Sequence, residues 1–123
     1  VDIPRTDELL VSVRDFLRND VMDETTGRAN FLSRVAANSL DIVLRELSLG
    51  PLHQTLELDR LRALFESDEG LDVLKRRLVT ALRDKQISLD NEALQNHLRQ
   101  TVVNQVAIDQ PKYSGLKNAL NNA

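Results

Sequence analysis

Apolar residues recur at three- and four-residue steps in successive stretches of this chain, with polar or Gly/Pro punctuation between them, which predicts an all-α fold. In the first stretch Leu9, Val13, Phe16, Leu17 and Val21 form an inward face, while Ser12, Arg14, Asp15, Arg18 and Asn19 lie mostly outward. Thr6 is placed to cap this helix, and Asp7 and Glu8 suit its positive end. The polar run from Asp23 to Gly27 breaks it. A longer helix is expected over 28–49, stopping at Gly50-Pro51 because Gly followed by Pro is a helix ending. Its apolar residues (Phe31, Leu32, Val35, Ala36, Leu40, Ile42, Val43, Leu44 and Leu47) cover much of its girth. That makes it the expected central helix, contacted from several sides.

A third helix is expected over 56–66, with Leu58, Leu61, Leu64 and Phe65 inward. Ser67 or Asp68 would cap a fourth, in which Leu71, Leu74, Leu78, Ala81 and Leu82 repeat at three and four. In the fifth, Asp90 takes the cap position and Leu89 can staple onto Leu94. The ridge Leu94, Leu98, Val102 and Val106 then advances by fours. Short connections favour antiparallel neighbours, so the expected architecture is a compact single-domain bundle of about five helices over residues 1–123. The tail from 110 to 123 is expected to fray or to dock.

One polar pattern stands out against this apolar background. At 100° per residue, Arg34, Asn38, Asp41 and Arg45 fall in a narrow stripe on the second helix. Fork-shaped donors, an amide and a carboxylate in one row form either a buried network or a surface that meets something. Solvent is the ordinary destination of such residues on a helix that is apolar nearly all round. Periodicity does not choose between them. A second signature, Asp109-Gln110-Pro111-Lys112-Tyr113, holds the only Tyr in the chain. Pro111 would end the fifth helix, and Tyr113 would cover an open end of the bundle or anchor an interface.

Composition narrows the function classes. At 123 residues the chain can bury a single core without staples, and with 3% aromatics that core must be Leu, Val, Ala and Ile. A net charge of −3 argues against a nucleic-acid partner, and Lys75-Arg76-Arg77 reads as a solvated face. No cysteine occurs, so thiolate chemistry and zinc thiolates are excluded. No apolar run approaches the ~20 residues that cross a bilayer. A cytoplasmic protein without a membrane partner is the expectation.

The catalytic checklist comes back empty. His53 and His97 have no metal-ligand spacing, so no metal is expected. The four glycines are scattered, leaving no phosphate loop, and no nucleophile elbow occurs. The carboxylates sit in helix first turns or within i,i+4 reach of Arg and Lys, where they support helices. The chain reads as non-enzymatic, with no cofactor.

At this point a resemblance enters. Arg28, Phe31, Arg34, Val35, Ala36 and Asn38, then Gly50-Pro51, then Ala107, Ile108, Asp109, Pro111 and Tyr113, in that order and spacing, resemble a family of small bacterial proteins of unknown function. Such proteins are encoded beside aminoglycoside-phosphotransferase-like kinases, which act on hydroxyacyl-CoA, and beside acyl-CoA dehydrogenases. The resemblance implies a small accessory subunit that binds the kinase and stabilises or activates it. It gives no catalytic residue. Arg28, Arg34, Asn38, Asp109, Pro111 and Tyr113 are its motif positions and the candidate partner-binding residues. The alternative is a helical protein that binds an acyl-CoA or similar anion on its own, with Arg28, Arg34 and Arg45 as anion contacts. A deep pocket lined by those arginines would favour that alternative. Self-assembly into a homo-oligomer also stays open.

Overall fold

The computed structural model describes residues 5–121; the last two residues of the expected tail lie outside them. The described residues are helical with no strand, so the all-α expectation holds. The elements are α1 (Thr6–Asp15), a wider turn of π-helix (Phe16–Val21), α2 (Met22–Glu24), α3 (Gly27–Phe65), α4 (Leu71–Arg83), α5 (Glu92–Asp109) and α6 (Ser114–Asn121). No helix among the described residues is long and apolar enough to cross a membrane. The chain divides into two compact units, Val1–Gly50 and Pro51–Ala123, each described by itself.

In the first unit the π-helical turn follows directly on α1, and its geometry appears where the Met22 N–H bonds the Leu17 carbonyl, five residues back. α3 begins after a tight reversal. Gly27 takes φ +66°, a left-handed value that suits glycine, and the Asn30 amide donates to the carbonyls of Met22 (2.7 Å) and Thr25 (3.1 Å). The buried residues of this unit are small: Ser33, Ala37 and Gly50.

Four expectations for this unit are corrected. Thr6 does not cap α1; Arg5 occupies the cap position without a side-chain bond, and Thr6 is already helical. Leu9, Val13 and Phe16 are exposed, whereas Leu10, Val11, Leu17 and Val21 are half-buried. Arg14 and Arg18, expected outward, are half-buried because both hold Asp41 of α3, which fixes the rotation of α1. On α3, expected to be contacted from several sides, the residues Phe31, Leu32, Val35, Val43 and Leu47 are exposed.

The helix expected to stop at Gly50-Pro51 does not stop there. α3 continues through Pro51 to Phe65 and absorbs the separate third helix. Pro51 removes one N–H bond and crowds the carbonyl four residues back, a cost of about 3 kcal/mol in a helix interior. The long helix-forming runs on both sides offset it locally. Gly50-Pro51 marks the junction of the two units instead.

In the second unit the core is Leu61, Leu74, Leu78 and Leu94, with Leu58, Leu64, Phe65, Leu71, Leu82 and Ile87 packed on it. The inward positions expected on the end of α3 and on α4 are therefore as read. The ends of these helices are tight left-handed turns without glycine. Glu66 and Lys85 have φ of +48° and +55°, and the Gln86 N–H closes the second turn on the Ala81 carbonyl at 2.8 Å.

Three details at the helix starts differ from expectation. Gly70, not Ser67 or Asp68, precedes α4, while Ser67 accepts from the Glu69 N–H. Asn91 rather than Asp90 caps α5, accepting from the Leu94 N–H at 3.0 Å. That one-residue shift leaves Leu89 exposed, so no staple forms. Along α5 the buried row is Leu94, His97, Val103 and Ile108, and Leu98 and Val102 face solvent. His97 accepts at Nδ1 from Arg60 Nε at 3.1 Å. Burial, and next the Arg60 charge, push its imidazole below the ordinary histidine range. The tail is helical over Ser114–Asn121, with Leu116 buried.

Candidate interaction surface

The polar stripe of α3 resolves into two parts. Asp41 lies half-buried and takes both arginines of the neighbouring helical segment, Arg18 Nη2 at 2.8 Å and Arg14 Nη1 at 3.0 Å. Arg14 also meets Asp15 at 3.1 Å, and Arg18 Nη2 donates to the Asn38 side-chain oxygen at 3.1 Å. Burial pushes the Asp41 carboxyl up, but the hydrogen bonds and charges of Arg18 and Arg14 together outweigh it and hold it below the usual carboxylate range. The reach of this network follows from spacing. Arg14 and Arg18 are four residues apart, and both forks close on one carboxylate.

The outer part of the stripe is different. Arg34 is exposed, and so is Arg28 six residues earlier. Neither has a hydrogen-bonding or ionic partner among the described residues. Asn38 stands at the border, exposed but engaged by Arg18. Arg45 is half-buried. Sequence reasoning missed Arg14 and Arg18 as members of the network; the signal available was two arginines at helical spacing, which reads equally well as a solvated face.

The second signature lies in the other unit. Asp109 ends α5 and accepts from Gln105 Nε2 at 2.9 Å. Pro111 is exposed in the turn that follows, where the Tyr113 N–H bonds the Gln110 carbonyl at 3.0 Å. The Tyr113 carbonyl in turn receives the Leu116 N–H at 3.1 Å as α6 begins. The Tyr113 ring remains 57% exposed and lies across Gly115, where an added Cβ would stand only 2.6 Å from Cε1. Glycine at 115 is thus what leaves room for the ring. The two halves of the motif fall in separate units: Arg28, Arg34 and Asn38 in the first, Asp109, Pro111 and Tyr113 in the second. All six are exposed.

Chemically, these groups offer fork donors, an amide, a carboxylate and one phenol at the surface, which suits recognition rather than bond making. No group of three or more His, Cys, Asp or Glu able to hold a metal occurs among the described residues. An open groove in the first unit is lined by Arg5, Thr6, Val11, Arg14, Leu44 and Leu47 among others, but by none of Arg28, Arg34 and Arg45.

A family match described as a domain of unknown function (DUF6285) covers residues 23–113. The chain belongs to the DUF6285 family. The matched region of this DUF6285 protein holds all six motif residues, from Arg28 to Tyr113. No curated protein and no solved structure matches it.

Proposed function

We propose that this DUF6285 chain is a non-catalytic accessory subunit that binds an aminoglycoside-phosphotransferase-like kinase acting on hydroxyacyl-CoA in the bacterial cytoplasm, and stabilises or activates it. The observation that carries the interaction reading is the common exposure of the six motif residues, with Arg28 and Arg34 lacking any partner among the described residues. Arg14 and Arg18 are tied to Asp41 and serve the fold, whereas Arg28 and Arg34, like Arg76 and Arg99, are left open to solvent or to a partner. An arginine left open, together with a half-exposed tyrosine, is the residue composition of interface hot spots. The identity of the partner comes from the resemblance of the motif.

The mechanism is mass action. A subunit that binds only the folded or closed kinase adds RT ln(1 + [L]/Kd) to its stability, about 2.7 kcal/mol at a hundredfold excess over Kd. No residue of the chain has to touch the reacting atoms. The test is a calorimetric titration of the kinase with Arg34→Ala and Tyr113→Ala. Each is expected to weaken binding by about 1–2 kcal/mol or more, as truncation of an interface anchor does, with the helical circular dichroism unchanged. Wild-type affinity in both would refute the assignment, and loss of helicity in both would return these residues to a structural role.

A further inference from the structure

We propose that the exposed ridge of α3 in the first unit is a self-association surface, on which a second copy of this chain crosses in antiparallel fashion about a two-fold axis at Ser39. The ridge is the row Phe31, Val35, Ser39, Val43 and Leu47, one residue per helical turn. All five are exposed, the four large ones by 60%, 43%, 42% and 45% in chain order. Ser39 lies about 160° around the helix from the buried Ala37, so the centre of the row stands opposite that buried position. The row winds about 40° per step, inclined to the helix axis, with Phe31 and Leu47 at about 80° to either side of Ser39.

Its register is what selects a second copy as the occupant. An isologous contact requires that residue i meet j while j meets i. About Ser39 this row is symmetric in character: Val35 mirrors Val43 four residues away, and the large apolar Phe31 mirrors Leu47 at eight. Side-chain size grows outward from Ser to Val to Phe or Leu, matching the gap that opens on either side of a helix crossing. At the centre a small residue allows the close approach of axes that crossing helices make, about 8–10 Å. The Ser39 hydroxyl is already satisfied, donating to the Val35 carbonyl at 2.9 Å, so burying it leaves no open donor.

Arg34 and Asn38 lie about 100–140° around α3 from Ser39, so this surface does not rest on the accessory-subunit reading.

The chain has no cysteine, which makes Ser39→Cys a clean probe. Under mild oxidation of the full chain, Ser39→Cys is expected to form a covalent dimer much faster than Arg34→Cys, because only the axis position brings two Cα atoms within disulfide range, about 4.4–6.8 Å. Light scattering of the unmodified protein is expected to give two 13.9 kDa chains. Val35→Glu and Val43→Lys should each give monomers, and the Val35→Glu/Val43→Lys double variant should dimerise again, since residues 35 and 43 then face each other across the axis. The unmodified chain remaining monomeric up to about 100 µM, far above the Kd of a stable interface, would overturn the proposal. So would equal cross-linking at 39 and 34, or single charged variants that still dimerise. If a charged variant loses its helical signal, the comparison of Ser39→Cys with Arg34→Cys decides.

Discussion

Leu74→Ala is expected to destabilise the second unit by about 2–5 kcal/mol, the range for removing a fully enclosed leucine from a core that cannot collapse onto the gap. Leu74 has no exposed surface and sits in the cluster with Leu61, Leu78 and Leu94, which are themselves almost wholly enclosed. Val79→Ala on the same helix is the matched control. Val79 is 62% exposed, and its truncation should move stability by less than about 0.5 kcal/mol. Urea denaturation followed by circular dichroism separates the two. Equal midpoints for Leu74→Ala and Val79→Ala would mean that α4 does not close this core.

Asp41→Asn is expected to cost about 1–2 kcal/mol and to loosen the first unit. The substitution keeps the shape of the side chain and removes the charge that two arginines share. Hydrogen bonds to charged groups are worth about 1.5–3 kcal/mol each when sheltered, and the partial exposure of this cluster discounts that figure through solvent screening. What remains after the change is Arg14 and Arg18, close together without their common counter-ion. The effect depends on pH in a defined direction. Asp41 is held below its unfolded value of about 3.9, so its contribution is fully present above that value and is lost as the pH falls through the folded pKa. Stability of the unmodified chain should therefore fall more steeply below pH ~4 than that of Asp41→Asn. Parallel curves for the two proteins would show that the carboxylate adds nothing to the stability of the first unit.

The contrast between these two sites explains what the sequence made legible. In α4 the residues Leu71, Leu74, Leu78, Ala81 and Leu82 line one side, while Asp72, Lys75, Arg76, Arg77, Thr80 and Arg83 fill most of the rest. One rotation of the helix therefore buries the leucine row and leaves Val73 and Val79 outside, and that rotation is observed. The first 24 residues of α3 have apolar groups on nearly every side, and periodicity there fixes no direction. The structure uses the small residues Ser33 and Ala37 inward and leaves Phe31, Val35, Val43 and Leu47 outside. α1 was misread for a related reason. Its rotation is set by Arg14 and Arg18 reaching a carboxylate more than twenty residues away, a long-range pairing that local amphipathicity does not register.

Gly50-Pro51 teaches a further lesson about local rules. The dipeptide carries a strong terminating preference, yet continuing the helix on both sides outweighs it, and the signal survives as the division between two units. Among the candidate residues, the sequence identified which side chains were unusual. It did not show that all six reach the surface, because a stripe on an apolar helix and a tyrosine after a proline are each compatible with burial. Their common exposure is the observation on which the proposed contact role rests.

The account stands or falls on a partner. The most direct measurement is copurification of the tagged chain with the kinase encoded beside it, followed by turnover of a hydroxyacyl-CoA by the kinase with and without the chain. The account predicts a stable complex, higher turnover in its presence, and loss of both effects when Arg34 and Tyr113 are replaced together by Ala. Separate elution of the two proteins at micromolar concentration, with turnover unchanged, would contradict it.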